Sequence, residues 1–336
     1  MREISIQKNE AGQRMDKFLA KYLNKAPKSF FYKMMRKKNI TLNGKKAVGN
    51  EQLKQGDVIK LFLAEETIEN FIDHSQFSKK KASSAKKQTA GKKVQLDILY
   101  EDEAAVFINK PVGMLSQKAS PTDTSLVEYF IDYLLENGKI TEEELHTFHP
   151  SVCNRLDRNT SGIVAAGKTL QALQGLSEMF RDRTLKKYYL CLVKGQVKEN
   201  QRIHGYLVKN EKTNKVMVSQ KKPAEQTKDG KEASAIDTEY KVLARNRETT
   251  LLEVHLITGK THQIRAHPIA GDYKYGNRSF NDALKKEYGL RSQLLHAYRL
   301  EFPENCEGDI KQLSGKIIKA PVPALFERIC KAQGVM

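Results

Sequence analysis

Cysteine is scarce in this 336-residue chain: Cys153, Cys191, Cys306 and Cys330 lie far apart, and no two form a Cys-x-x-Cys pair. A disulfide framework and a cysteine zinc knuckle are therefore not indicated, and the thiols are expected to be buried and free. No apolar run approaches the ~18 residues of a membrane span. No charged start leads into an apolar signal-peptide core either, so a soluble, cytoplasmic protein without membrane contact is expected. His255, His262 and His267 match no common zinc spacing, so no metal is expected, and no cofactor is expected either. The run Gly259-Lys260-Thr261 lacks the preceding glycine of a nucleotide phosphate loop, with Val254 in its place. No internal repeat is present.

What the chain does have is positive charge. Its formal net charge is +18, and residues 1–95 hold 22 Lys and Arg against 9 Asp and Glu, which leaves 36 against 31 in the remainder. An imbalance of this kind points to nucleic acid as the partner, gripped mainly through the amino-terminal third.

Three regions follow from the patterning. In residues 1–64, Met15, Phe18, Leu19, Tyr22 and Leu23 carry helical spacing. Ser29 is the expected N-cap of a second helix, with Phe30, Phe31, Met34 and Met35 inward and Arg36, Lys37 and Lys38 at its end. Asn43-Gly44 then marks a hairpin between short strands. Residues 65–95 lose periodicity and are rich in lysine, serine and alanine, as in a linker. Residues 96–330 read as one long domain. Helices are expected over 123–147 and 168–180, and strands over 96–100, 104–108, 188–193, 235–243, 250–257 and 294–302. Hairpin-length links among so many strands predict a mixed α+β fold around a mainly antiparallel sheet with flanking helices.

The most informative stretch is Asn154-Arg155-Leu156-Asp157-Arg158-Asn159-Thr160-Ser161-Gly162. It sets one acid between two arginines, ahead of small polar residues, a glycine and a buried-strand run, Ile163-Val164-Ala165-Ala166. A carboxylate between fixed cations should stay ionised and serve as nucleophile or base. An exposed Arg-Asp-Arg turn is the bland alternative.

This stretch is very similar to the signature loop of the RluA-type ribosomal large-subunit pseudouridine synthases. Three further segments match that family in order. They are Asn109-Lys110-Pro111-Val112-Gly113-Met114-Leu115-Ser116, the run Lys187 to Gly195, and Thr258 to His267. The resemblance implies that Asp157 is the catalytic carboxylate and that Tyr189 faces the uracil ring, with Tyr188 the alternative if the register slips by one. It also implies that Arg265 pairs with Asp157 and that Arg155 enters the RNA where the target base leaves the stack. Arg158 is expected to support the loop or contact a phosphate.

The helices and hairpin of residues 1–64 resemble the S4 RNA-binding domain, a small α/β module. That resemblance implies a backbone-gripping face made by Arg14, Lys17, Lys33, Arg36, Lys37 and Lys38. Together the two imply a monomeric isomerase acting on large-subunit ribosomal RNA. A transfer-RNA substrate, an assembly factor that lost the chemistry, and an aspartate-dependent glycosidase remain open, although the last needs a second carboxylate that the motifs do not offer. Two positions depart from the family: Asn154 stands where histidine is more frequent, and the segment between His267 and Pro268 is shorter. The second departure is expected to disturb the Asp157–Arg265 geometry and to reduce activity.

Overall fold

Residues 1–73 build a core of their own. The computed structural model describes residues 1–7, 9–73, 94–142, 144–210, 215–222, 233–266 and 268–336. In this first module β1 (Arg2–Ser5), β2 (Ile40–Leu42), β3 (Lys45–Lys46) and β4 (Val58–Leu61) form a four-stranded sheet in the order β1-β4-β2-β3. Two helices, α1 (Met15–Tyr22) and α2 (Lys28–Arg36), close it. Met15, Phe18 and Leu19 meet Phe31, Met35, Ile40, Ile59 and Leu61 in the interior. Asn43 and Gly44 both take positive φ, 51° and 72°, as the two-residue hairpin requires.

Two expectations fail in this module. Helix α2 begins at Lys28 with Pro27 at the N-cap, so Ser29 lies inside the first turn and caps nothing. Proline's fixed φ already holds the extended entry, and no side-chain cap bond forms. The aperiodic region also starts later than residue 65. A third helix, α3 (Glu65–Asn70), buries Ile68 completely and Ile72 nearly so against the module core. Six helical residues with one apolar contact give no readable period. Of the expected linker, residues 74–93 lie outside the described residues.

The larger domain is organised by a sheet that has eleven strands among the described residues. These are β5 (Ile98–Glu101), β6 (Ala105–Lys110), β7 (Ser151–Val152), β8 (Ser161–Gly167), β9 (Lys186–Lys194), β10 (Gln201–Asn210), β11 (Lys215–Ser219), β12 (Ser234–Arg245), β13 (Thr249–Leu256), β14 (Leu295–Glu301) and β15 (Ile317–Lys319). The path runs β11-β10-β12-β13-β9-β14-β8-β6-β5, with β7 beside β8 and β15 beside β14. Only the β14–β8 pair is parallel among the pairs described. The fold is thus mixed, with a large, mainly antiparallel sheet.

Helices cover both faces. Helix α4 (Leu126–Glu136) packs Phe130, Ile131 and Leu134 on Val164 and Ala166 of β8 and on Tyr189 and Cys191 of β9. Helix α5 (Leu170–Asp182) packs Ala172 and Leu176 on the alternate residues Ile163 and Ala165. The C-terminal pair α6 (Arg278–Tyr288) and α7 (Ala324–Ala332) covers Leu190 and Leu192 of β9. Because β8 is covered on both sides, all seven of its residues are buried, which explains its continuous apolar run. Helix α4 is shorter than the expected 123–147. Ser125 and Glu128 form a capping box at its start, and Asn137 with left-handed Gly138 ends it. Val335 is buried against Phe326 and Ile329, so this domain extends past the expected residue 330.

Candidate active site

The loop that carries Asp157 runs from β7 to β8 and is held from several directions. Asn154 accepts the Ala165 N–H at 2.8 Å and donates Nδ2 to the Ile163 carbonyl at 3.2 Å, which pins the loop to β8. Ser116 Oγ donates to the Leu156 carbonyl and accepts the Leu156 N–H, at 2.9 and 3.0 Å. Arg158 donates Nε to the Gly113 carbonyl and its own carbonyl accepts the Gly113 N–H. Gly162 follows with φ 114°, and a Cβ there would overlap the Ala297 carbonyl of the parallel neighbour β14. Only glycine satisfies both demands.

Lys110 lies beneath this loop, fully buried, with its ammonium donating to the carbonyls of Pro111, Met114 and Arg158. Burial pushes its pKa down to about 8, with the Asp157 charge pulling the other way. No carboxylate bonds it, so the lysine ties two motif segments together by filling carbonyl lone pairs.

Asp157 lines a cleft of about 890 Å³. The arginines beside it in sequence do not bond to it. Its partner comes from 108 residues away: Arg265 donates Nη1 to Asp157 Oδ2 at 2.6 Å. Arg265 stands on a 3₁₀ turn (Ile264–Ala266) and is itself fixed by a two-pronged contact to Asp272, at 2.8 and 3.0 Å. Asp272 is 1 % exposed and also accepts the Lys274 N–H. Burial works against the Arg265 charge, but its hydrogen bonds to Asp272 and Asp157 outweigh it and raise its pKa. The expected disturbance of this pair is absent. His267 lies outside the described residues, yet Asp272 in the short return steadies the guanidinium directly.

Tyr189 faces the same cleft from β9, nearly buried beside Leu256, Ile264 and Leu295. Burial first, then the Asp157 charge, pushes its hydroxyl above the ordinary range. Tyr188 points to the opposite face, stacked on His255 and beneath Arg299. The strand's alternation therefore selects Tyr189 over Tyr188.

His262 stands beside the same carboxylate. Its φ is 58°, its Nε2 stands 3.7 Å from Asp157 Oδ2, and its Nδ1 meets the Tyr275 hydroxyl at 2.9 Å. That hydroxyl already accepts the Val216 N–H, so its proton is free for Nδ1. Burial lowers the His262 pKa. A neutral ring then presents Nε2–H toward the carboxylate. Among the described residues, no cluster of His, Cys, Asp and Glu suits a metal ion. Cys153 lines the cleft, but burial raises its thiol to about 12, which leaves it unreactive.

Of the expected RNA contacts, Arg155 is exposed on the cleft wall with no carboxylate partner among the described residues, whereas Arg158 is engaged by Gly113. Lys17, Lys33, Arg36, Lys37 and Lys38 are exposed on the first module. Arg14 departs from the expectation of a free cation: it is forked onto Asp16 at 3.0 Å through both Nε and Nη2. Sequence reasoning placed Ser116 in a matching segment without giving it a role, overlooked Asp272, and weighed His262 only as a metal ligand.

A family model described as RNA pseudouridylate synthase matches residues 104–269, which include Asp157, Tyr189 and Arg265. A protein of Vibrio parahaemolyticus named ribosomal large subunit pseudouridine synthase C is 31 % identical over 97 % of this chain and 94 % of its own length. The chain belongs to the RNA pseudouridylate synthase family. A Salmonella typhi protein of the same name is also 31 % identical, over 94 % of this chain and 93 % of its own. A human structure named RNA Pseudouridylate Synthase Domain Containing 4 overlays with a TM-score of 0.56 at 23 % identity, covering 71 % of this chain and 94 % of that one, and it shares the fold. As an RNA pseudouridylate synthase, the chain is an isomerase, and its conversion of uridine needs no redox partner. Among the described residues no helix is long and apolar enough to cross a membrane.

Proposed function

We propose that this synthase isomerises uridines of large-subunit ribosomal RNA, with Asp157 as the catalytic carboxylate, Tyr189 against the extruded uracil and Arg265 orienting the acid. The observation that carries this reading is the Asp157–Arg265 bond at 2.6 Å in a cleft that Tyr189 also lines. The large-subunit substrate is taken from the printed names of relatives that align over nearly the whole chain.

The reaction balances without an external reagent. The N1–C1′ bond breaks, the uracil turns within the cleft, the C5–C1′ bond forms, C5 loses its proton to solvent and N1 gains one. Asp157 attacks C1′ or the ring, or removes a proton, and a guanidinium bonded to one oxygen leaves the other free to act. Tyr189 provides a flat apolar wall with its hydroxyl protonated. Arg155 fills the gap left by the departing base. The expected assembly-factor alternative rested on a disturbed Asp157–Arg265 pair, and the observed bond removes that motive.

Residues 1–73 serve, in this reading, as an S4-like module whose exposed Lys17, Lys33, Arg36, Lys37 and Lys38 grip phosphates, and the enzyme works as a monomer in the cytoplasm. Large-subunit RNA labelled with tritium at C5 of uracil tests the chemistry. The wild-type chain should release tritium and leave no free uracil, and Asp157→Asn should stop release while RNA affinity stays within about threefold. Release from transfer RNA alone would reassign the substrate, and unchanged release by Asp157→Asn would remove the carboxylate from its role.

A further inference from the structure

Lys187 is a buried cation of the cleft that the chemistry leaves unused. It stands two residues before Tyr189 on β9, so alternation puts both side chains on one face, roughly 6.7 Å apart along the strand. Its side chain is only 8 % exposed, yet it lines the cleft. No carboxylate pairs with it among the described residues. The charge that acts on it is Arg183, another cation of the cleft wall, and together with burial this pushes its pKa down to about 8. A buried ammonium without a counter-ion is costly unless a ligand completes it.

The 258–261 loop passes close to that ammonium. A Cβ on Gly259 would lie 3.6 Å from Lys187 Nζ. The loop that carries Gly259 is rigid, because Gln263 accepts from Thr258 Oγ1 and the Lys260 N–H and donates to Thr238 Oγ1. Exposed Lys260 and Arg183 flank the opening. The arrangement is a small cationic recess beside the tyrosine that meets the base.

We propose that Lys187, with the 258–261 loop, forms a subsite for one RNA backbone phosphate adjoining the extruded uridine. The subsite rests on the uridine-isomerase reading and adds to it the anchor for the nucleotide's own backbone. A phosphate there receives a charge-assisted contact in a recess from which water is largely excluded. The base then enters the cleft with its backbone already fixed, which is a positioning effect rather than a chemical one.

In-vitro-transcribed large-subunit ribosomal RNA tests this, with binding measured in the Asp157→Asn background and turnover in the wild-type background. Lys187→Met should weaken binding about tenfold and reduce the salt slope by about 0.7, the loss of one single-strand contact. It should raise KM more than it lowers kcat, and Lys187→Arg should restore most of both. An oligonucleotide spanning the modified uridine, with a neutral methylphosphonate on one side of it, should bind wild type about tenfold less well and cost Lys187→Met nothing further. Equal binding and slope for wild type and Lys187→Met, or additive losses with the neutral linkage, overturn the subsite. Failure of the wild-type chain to make pseudouridine overturns the underlying reading instead.

Discussion

At the scale of single residues, the site depends on a relay of fixed charges that ends at Asp157. Asp272 is buried and rigid, it holds Arg265 through two hydrogen bonds, and Arg265 holds one Asp157 oxygen. Asp272→Asn keeps the shape of this relay but removes its charge and one acceptor, so Arg265 loses its fixed seat. Single-turnover rates should fall on the order of 100-fold, the usual consequence of misplacing a reacting group by about 1 Å. RNA affinity should change little, since Asp272 is 1 % exposed and touches no solvent path. A rate within threefold of wild type would show that Arg265 is held by other means. Sequence alone brought Asp157, Tyr189 and Arg265 together through the motif resemblance, and the structure places all three at one cleft. It gave no hint of Asp272 as the seat of Arg265, because a lone aspartate in a Gly-Asp-Tyr turn reads as turn chemistry. His262 was hidden differently: its neighbours His255 and His267 drew attention to metal, whereas its role follows from a left-handed backbone that no motif encodes.

At the scale of elements, the parallel contact between β8 and β14 is the joint on which the loop turns. His296 is the register partner of Ser161, and its Nδ1 meets Ser161 Oγ at 2.9 Å inside the sheet. Burial lowers the His296 pKa to about 4, with the carbonyls of Ala320 and Pro321 pulling the other way. The unfolded imidazole protonates near pH 6.5, so between about 6.5 and 4 the unfolded chain binds the extra proton. Stability from this group is therefore complete above pH 6.5 and is lost as pH falls, by on the order of 3 kcal/mol at pH 4. Urea unfolding at pH 7.5 and pH 4.5 should show a smaller difference for His296→Gln than for wild type, and equal differences would exclude His296 as the source. Elements were legible where their buried residues are apolar. The observed bounds of β9, β12, β13 and β14 lie within two residues of the expected ones at either end. Helix α6 was not legible, because its buried face carries Asn281 beside Leu284. That asparagine bonds the Gly271 N–H and the Asp272 carbonyl, so it is packed for polar reasons that hydrophobic periodicity does not register.

At the scale of the whole molecule, charge and chemistry are divided between two cores joined at few points. The first module touches the catalytic domain where Thr147 Oγ1 donates to Glu10 at 2.7 Å and Asn9 donates to Glu144 at 3.0 Å. Most of the excess charge sits in residues 1–95, while the cleft contributes a handful of cations. Binding strength and turnover should therefore separate on mutation. Helix α2 presents Lys33, Arg36 and Lys37 on one exposed face, at the i, i+3, i+4 spacing that leaves Phe31 and Met35 inward. Replacing the three cations by glutamine in the full chain leaves the module core intact and removes about three phosphate contacts. The slope of log affinity against log salt should then become shallower by roughly 2, with a tenfold or greater loss of affinity at physiological ionic strength. Turnover at saturating RNA should stay within about twofold, since no group in the cleft has changed. An unaltered slope would mean that α2 faces solvent in the complex, and that the grip on RNA comes from other lysines of the amino-terminal region.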